Sequence, residues 1–550
     1  MRSFRLYLLG ISSALLFALG LPNELFLMGF PLLGYVALIP LYFALLEIPD
    51  WKQAVLVTGL YGALHHAVSS YWLYFFKDFA FWTIGVSTLA YFVVYSLLGL
   101  CLVFLLRRAG PARPLAFALL WTSFEFLKSI GFLGYPWGLL PYTQSNFLPM
   151  LQIADITGVY GISFILAFSN AILAECLYLG SDLRGIDIRS WGRIRVDFQK
   201  RRGAKRAKIR CRLNQPLSLR LPVGSVPRYA ALGLLLVAAN LGYGYWRIGT
   251  KLPDKGSLLT LIVQQNLNPW SEGTEAALEA NMSLMKKALA APGPRPELVL
   301  FSESSLGYPY LDSQNWYAKN PRSDPFIPYF KQQGFWLLTG SPIVLDWKNF
   351  SATNSVILLD PTGRVTADYA KIHPVPFAEA IPFYEYAWFR DFLKKAVGLE
   401  AGWTLGSKYT LFAMPTLAGT LRFGAPICFE DAFAGLCRRF ILDGADILVN
   451  LTDDSWSKTQ SAEYQHFSAA RFRAIEARRS LVRSTNSWIS AVIGPYGEVR
   501  ASLPPFVAAS ATVQVPLVSS PRTFYIAFGD WFALLALLLS FSWTLILVAG

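Results

Sequence analysis

Eight apolar stretches, each about the length of a membrane-crossing helix, restrict this chain more than any other feature. They fall near residues 6–22, 27–47, 53–76, 79–106, 114–134, 159–180, 229–247 and 523–549, and about 20 apolar residues suffice for a helix to span the hydrocarbon. Only 15% of the 550 residues are charged and 54% are hydrophobic, a balance outside the range of ordinary soluble chains. Inside lipid every backbone amide must be satisfied within its own segment, so these stretches read as helices. Arg2 and Arg5 precede the first stretch as they would in a signal peptide. A second stretch follows at once with no small-residue cleavage site between, so the first reads as a retained helix.

The net charge of +14 is concentrated in FQKRRGAKRAKIRCR, between the sixth and seventh stretches. Placed there, it reads as a cytoplasmic loop facing anionic headgroups rather than as a nucleic-acid surface. With Arg107 and Arg108 on the same side, parity puts the N-terminus inside and residues 250–520 outside. The expected organisation is a six-helix domain over 1–180, a basic cytoplasmic loop over 181–228, a seventh helix at 229–247, a soluble domain over 256–517 and an eighth helix at 523–549. Five cysteines without CxxC spacing indicate neither a zinc site nor a disulfide framework.

From residue 256 the texture changes to short buried strands separated by turns and polar helices, the pattern of an α/β domain. LLTLIVQQN, ELVLFSES, FWLLTGSPIV, SVILLDPTG, LRFGAPICF and ADILVNLTDD read as strands, 274–290 and 461–479 as amphipathic helices, and AVIGPYGEV as a hairpin. Two segments rich in proline and aromatics, 307–326 and 374–398, read either as surface loops or as lids reaching the headgroup region.

Three reactive side chains stand at strand ends: Glu303 after LVLFS, Lys371 in DYAKIHPVPF and Cys428 after FGAPI. Layered α/β domains assemble their sites at such ends. A free thiol titrates near about 8.5, so a cysteine nucleophile needs a base or a cation beside it. Glu303 can take the proton, and Lys371 can stabilise first the thiolate and then a tetrahedral oxyanion. Each also has a plainer reading: a buried filler for Cys428, a solvated side chain for Lys371, a turn or cap for Glu303. Cys–His chemistry is the rival, through His373 or, on a helical pattern that reads as structural, His466.

LVLFSES, YAKIHPVPFAE and APICFED, in this order, resemble the three active-site segments of the carbon-nitrogen hydrolase (nitrilase) superfamily. The resemblance implies an αββα sandwich and a Glu-Lys-Cys triad, with Glu303 as base, Lys371 as oxyanion stabiliser and Cys428 as nucleophile. Such a domain set between a seventh and an eighth membrane helix is similar, over nearly the whole chain, to the apolipoprotein N-acyltransferase family. GYPWGLLPYTQ (134–144), VQQNLNPWSEG (263–273) and the long block at 451–497 carry the narrower resemblance. It implies supporting site roles for Glu379, Glu430, Trp456 and Trp270. Phe429 departs from the family pattern, standing where many members have tyrosine, and the basic insertion around 182–228 is longer than usual. The activity implied is transfer of an acyl chain from a phospholipid, through a thioester on Cys428, to the α-amine of the diacylglyceryl-cysteine of a lipoprotein. The implied setting is the bacterial cytoplasmic (inner) membrane with the catalytic domain on the extracytoplasmic, periplasmic side, without cofactor, metal or nucleic acid. The alternative is a membrane-anchored nitrilase-like amidase that hydrolyses an extracytoplasmic substrate with the same residues.

Overall fold

The computed structural model describes residues 2–76, 81–183, 225–267, 272–349, 351–376, 378–380, 386–397, 402–417, 419–487 and 489–549. Most of the basic insertion and Trp270 lie outside them. Five described helices are long and apolar enough to cross a membrane: Ser3–Gly20, Thr83–Arg108, Val159–Tyr178, Val226–Gly249 and Trp531–Ala549. The other three stretches do not form one long apolar helix each. Residues 27–47 divide into Pro31–Gly34 and Ile39–Glu47, each opened by a proline where a missing N–H costs nothing. Residues 53–76 form Trp51–Ser69, capped by the Asp50 carboxylate accepting from the Gln53 N–H at 2.9 Å, and then a tight turn over Tyr71–Phe75. Residues 114–134 are helical over Arg113–Leu127, before Gly131 at φ +81°. The last stretch also breaks, at Gly529 with φ +64°, into Phe524–Phe528 and Trp531–Ala549.

Arg113 and Glu175, both buried in the bundle, are paired, as lipid demands. Arg113 Nη2 lies 3.0 Å from Glu175 Oε2, and the Tyr42 hydroxyl donates to Glu175 Oε1 at 2.7 Å. Arg5 pairs with Glu47 at 3.2 Å, and Arg107 donates to the Ile48 carbonyl. These contacts join the ends of the helices remote from the α/β domain.

That domain contains two six-stranded sheets. The first runs Ala509–Val518, Asp254–Gln264, Leu298–Leu300, Trp336–Gly340, Ser355–Leu359, Val365–Ala370. The second runs Val499–Ser502, Ala491–Ile493, Leu481–Thr485, Ile447–Thr452, Gly419–Gly424, Leu411–Thr416. Both mix parallel and antiparallel pairs, and the hairpin expected at AVIGPYGEV is formed. Side chains alternate between faces along a strand, and the burial follows that period. Leu261, Val263, Val299 and Leu337 pack with Leu278, Met282 and Met285 of the covering helix Gly273–Ala290. Leu258, Ile262, Leu300 and Leu338 belong instead to the cluster that includes Phe423, Leu448 and Val482 of the second sheet. With Ala434–Leu442 and Gln460–Ala477 covering the second sheet, the layers are αββα.

Segment 307–326 differs from both readings of it. Tyr310, Tyr317 and Phe326 are buried in the outer core of the first sheet, leaving Tyr308 and Leu311 exposed. Its aromatics fill space that the short strand Leu298–Leu300 leaves open. Segment 374–398 keeps exposed aromatics: Tyr386 and Trp388 stand on or next to the helix Ala387–Val397.

The domain is fastened to the bundle through Asp155. Its carboxylate accepts from the Tyr243 hydroxyl at 2.7 Å, from Arg247 Nε at 3.0 Å, and from Arg478 Nε and Nη2 at 2.9 and 2.8 Å. Gln465 Nε2 adds bonds to the carbonyls of Pro22 and Ser69 at 2.9 and 2.8 Å.

Candidate active site

Segments that follow four strands, two in each sheet, bring the chemistry together. Glu303 follows Leu298–Leu300, Lys371 follows Val365–Ala370, Cys428 follows Gly419–Gly424 and Asp453 follows Ile447–Thr452. Lys371 Nζ lies 2.7 Å from Glu379 Oε1 and 3.5 Å from Glu303 Oε1, with both Lys371 and Glu303 buried. Asn354 Nδ2 donates to the same two oxygens, at 2.8 Å for Glu303 and 3.2 Å for Glu379. The Asp453 N–H donates to Glu303 Oε2 at 2.9 Å, and the Val375 N–H to Glu379 Oε2 at 2.8 Å. Burial alone would discharge Lys371, but Glu303 and Glu379 outweigh it and hold the ammonium well above its ordinary range. The Glu303 carboxyl is raised, by burial first, with Lys371 opposing and Glu379 adding. A carboxylate so placed readily accepts a proton.

Cys428 opens a tight turn, Cys428–Ala432, with φ +50°, in the left-handed region that residues with a side chain seldom occupy. Such strain costs about 1–3 kcal/mol and persists only where surrounding bonds over-determine it. Asn450 Nδ2 supplies two of them, to the carbonyls of Pro426 and Cys428, each at 3.0 Å. Burial, and then the Glu303 charge, push the buried thiol well above its ordinary value, while Lys371 acts in the opposite direction. The resting group is therefore a thiol rather than a thiolate.

Glu430 binds this turn to the lysine segment. Its carboxylate accepts from the N–H groups of Ile372 at 2.7 Å, His373 at 2.9 Å and Ile427 at 2.8 Å, and from the Tyr369 hydroxyl at 3.0 Å. One buried side chain thus sets the spacing between Lys371 and Cys428. Burial pushes its carboxyl up to about 7, with the Ile427 and His373 N–H groups opposing. In Glu430→Gln an amide NH₂ must face one of these donors, so we expect a loss of about 1–3 kcal/mol in stability. Tyr369→Phe, which deletes a single donor, should cost about 1 kcal/mol or less. Thermal unfolding of the purified proteins compares them, and equal melting temperatures for Glu430→Gln and wild type would deny the clamp.

The helix bundle reaches the same place. Phe429 stacks on Trp137 with ring centroids 5.3 Å apart at 21°. Trp456 lies to one side, its ring 5.6 Å from Trp72 and 5.1 Å from Phe76. His373 packs on Phe433 at 3.7 Å and is held down to about 4 by burial and Lys371, hence neutral. His466 is bonded at both ring nitrogens to carboxylates, at 2.6 Å to Asp431 and 2.9 Å to Asp454. Cys437 is a free thiol set against the carbonyls of Glu430 and Asp431. Asn354, Asn450, Tyr369 and Trp137 were not singled out from the sequence. Only the position of Trp137, inside GYPWGLLPYTQ, carried a signal there.

A sandwich of this form with Glu, Lys and Cys at its strand ends defines the class, and the profile of the family described as Carbon-nitrogen hydrolase matches residues 262–522. A second profile, Apolipoprotein N-acyltransferase N-terminal domain, matches residues 13–172. Apolipoprotein N-acyltransferase 2 of Treponema denticola is 36% identical over 98% of this chain and 97% of its own. Apolipoprotein N-acyltransferase of Borreliella burgdorferi is 31% identical over 96% of this chain and 93% of its own. Among solved structures, a carbon-nitrogen hydrolase from Helicobacter pylori aligns with 51% of this chain and 94% of its own, at 17% identity and a TM-score of 0.35. The chain belongs to the apolipoprotein N-acyltransferase family.

Proposed function

We propose that the enzyme moves a fatty acyl chain from a membrane phospholipid to Cys428, and from there to the α-amine of a lipoprotein's diacylglyceryl-cysteine. The observation that carries this reading is the convergence of Glu303, Lys371 and Cys428, with Trp137 of the membrane part packed on the residue after the cysteine. Cys428 Sγ attacks the ester carbonyl while Glu303 takes the thiol proton. The Lys371 ammonium stabilises the oxyanion. Collapse breaks the ester C–O bond, and the lysophospholipid leaves with the proton from Glu303. The amine then attacks the thioester and gives its proton to Glu303. The C–N bond forms, the C–S bond breaks, and the thiolate recovers the proton. Both substrates keep their chains in lipid, where each buried CH₂ is worth about 0.8 kcal/mol.

The membrane part makes eight crossings in this reading, with the N-terminus inside and the catalytic domain outside. Support comes from Arg5, Arg107 and Arg113, which all sit at the bundle end away from the catalytic domain, where the basic segment also joins. A reporter fused near residue 200 should report cytoplasm and one near residue 350 the outside; finding both on one side overturns the crossing count.

Mass spectrometry tests the chemistry. With phospholipid alone the protein should stop at one acyl group on Cys428, and a diacylated lipopeptide with a free α-amine should discharge it as an amide. Continuous release of free fatty acid without acceptor, at a rate matching amide formation, would make the enzyme a hydrolase. Glu303→Gln should slow adduct formation by about 10²–10⁴ while the bond from Asn354 can still be accepted by the amide oxygen. A normal rate in that variant removes Glu303 from the base role.

A further inference from the structure

Behind the nucleophile lies a closed set of charged side chains that the steps above leave unused. Asp454 Oδ1 faces Cys428 Sγ at 4.0 Å and accepts from the Thr452 hydroxyl at 3.2 Å. Its other oxygen accepts from His466 Nδ1 at 2.9 Å and Arg483 Nη2 at 3.3 Å. Asp431 closes the ring, taking His466 Nε2 at 2.6 Å on one oxygen and Arg483 Nη1 at 2.5 Å on the other. All of these side chains are buried. Two carboxylates, an imidazolium and a guanidinium balance in charge, which is the condition under which buried ions persist.

We infer that Asp454 is the hydrogen-bond acceptor on which the Cys428 thiol rests between turnovers, held in place by the frame of Asp431, His466 and Arg483. The frame is rigid because every bond in it is charge-assisted. Burial would lower His466 and raise Asp454. The two aspartates instead hold the imidazole up to about 9, and His466 with Arg483 holds the Asp454 carboxyl down to about 2. Glu463, beside Asp454, is pushed well above the carboxylate range by burial and by that neighbour, and stays neutral. The charged groups acting on the thiol are thus Glu303, Lys371, Asp454 and Glu379. Of these, Asp454 faces the sulfur at 4.0 Å.

A thiol that donates to Asp454 is not donating to Glu303. Its S–H must swing to Glu303 when substrate arrives, and until then the sulfur is kept out of the thiolate form that alkylating and oxidising agents attack. The arrangement therefore protects the unacylated enzyme. It rests on Cys428 being the nucleophile, and it adds a group that tunes that nucleophile without taking part in acyl transfer.

The test follows carbamidomethylation of Cys428 by iodoacetamide in the purified full-length protein across pH, read peptide by peptide so that the other cysteines do not interfere. Asp454→Asn removes a like charge from beside the sulfur and should move the reactivity midpoint down by about one pH unit. Thr452→Val, nearly isosteric, removes the competing donor to Oδ1 and should move the midpoint up. A role confined to packing would scale the rate equally at every pH and leave both midpoints unmoved, which overturns the inference, as does a shift of both variants in one direction. Should Asp454→Asn not fold, the upward shift in Thr452→Val decides alone. Alkylation needs neither lipid nor lipoprotein, so failure here is distinct from failure to form the acyl adduct, which would count against the acyltransferase reading.

Discussion

Cys428→Ala should give no acyl adduct and no amide product, a loss of at least about 10⁴-fold in transfer, in a protein that folds as wild type does. The side chain is small, and losing one buried heavy atom costs about 1 kcal/mol. The backbone that holds the turn does not depend on sulfur: Asn450 and Glu430 bind main-chain atoms of Pro426, Ile427 and Cys428. Mass spectrometry after incubation with phospholipid and lipopeptide reads the outcome. Residual transfer near the wild-type rate would mean that the thiol is filler and that the chemistry lies elsewhere.

Lys371→Met should be the most destabilising change in the site as well as an inactivating one. Two carboxylates, the buried Glu303 and the partly buried Glu379, depend on this one ammonium, and removing one partner of a buried ion pair costs about 3–5 kcal/mol. Loss of the oxyanion donor adds about 10²–10³ in rate. The deficit should depend on pH in a defined direction. Glu303 already titrates above its ordinary range, and Lys371 is the first influence opposing that rise. Without the lysine its folded value climbs further, so the folded state holds a proton that the unfolded chain releases. Stability is then retained at pH values below the unfolded carboxylate range and lost as pH rises through the folded one. Melting temperatures at pH 5 and pH 8 should show the larger deficit at pH 8; equal deficits would mean that Lys371 does not set the charge of its neighbours.

Glu303, Lys371 and Cys428 could be placed together as candidates because each follows a strand, and the apolar runs LVLFS and FGAPI mark two of those ends in the sequence. Their surroundings were not legible. Asn354 meets Glu303 across 51 positions of chain and Gln465 meets Pro22 across 443, and no local pattern encodes contacts of that reach. Glu430 looked like a residue suited to a helix start, and its carboxylate does accept from the Ile427 N–H that opens the turn, but it also binds the Ile372 and His373 N–H groups and the Tyr369 hydroxyl. The aromatics at 307–326 misled because composition marks a segment as apolar without saying whether it faces lipid or the domain's own core. Long apolar stretches were legible as helical, but prolines 31 and 40 and Gly529 interrupt helices inside stretches whose hydropathy is continuous.

Trp137 comes from the segment between two bundle helices, yet its indole lies flat on Phe429, next to Cys428, and Asp155 and Gln465 lock the same junction from other sides. The surroundings of Cys428 are therefore shared between the two halves of the chain. A fragment cut at the domain boundary would keep Glu303, Lys371 and Cys428 and lose the Trp137 ring that packs on Phe429. Conversely, two related enzymes could not exchange halves by recombination unless the matching surfaces travelled together. The seam is the heritable unit, and a compound that wedged it open would disable the enzyme without ever competing for the thiol.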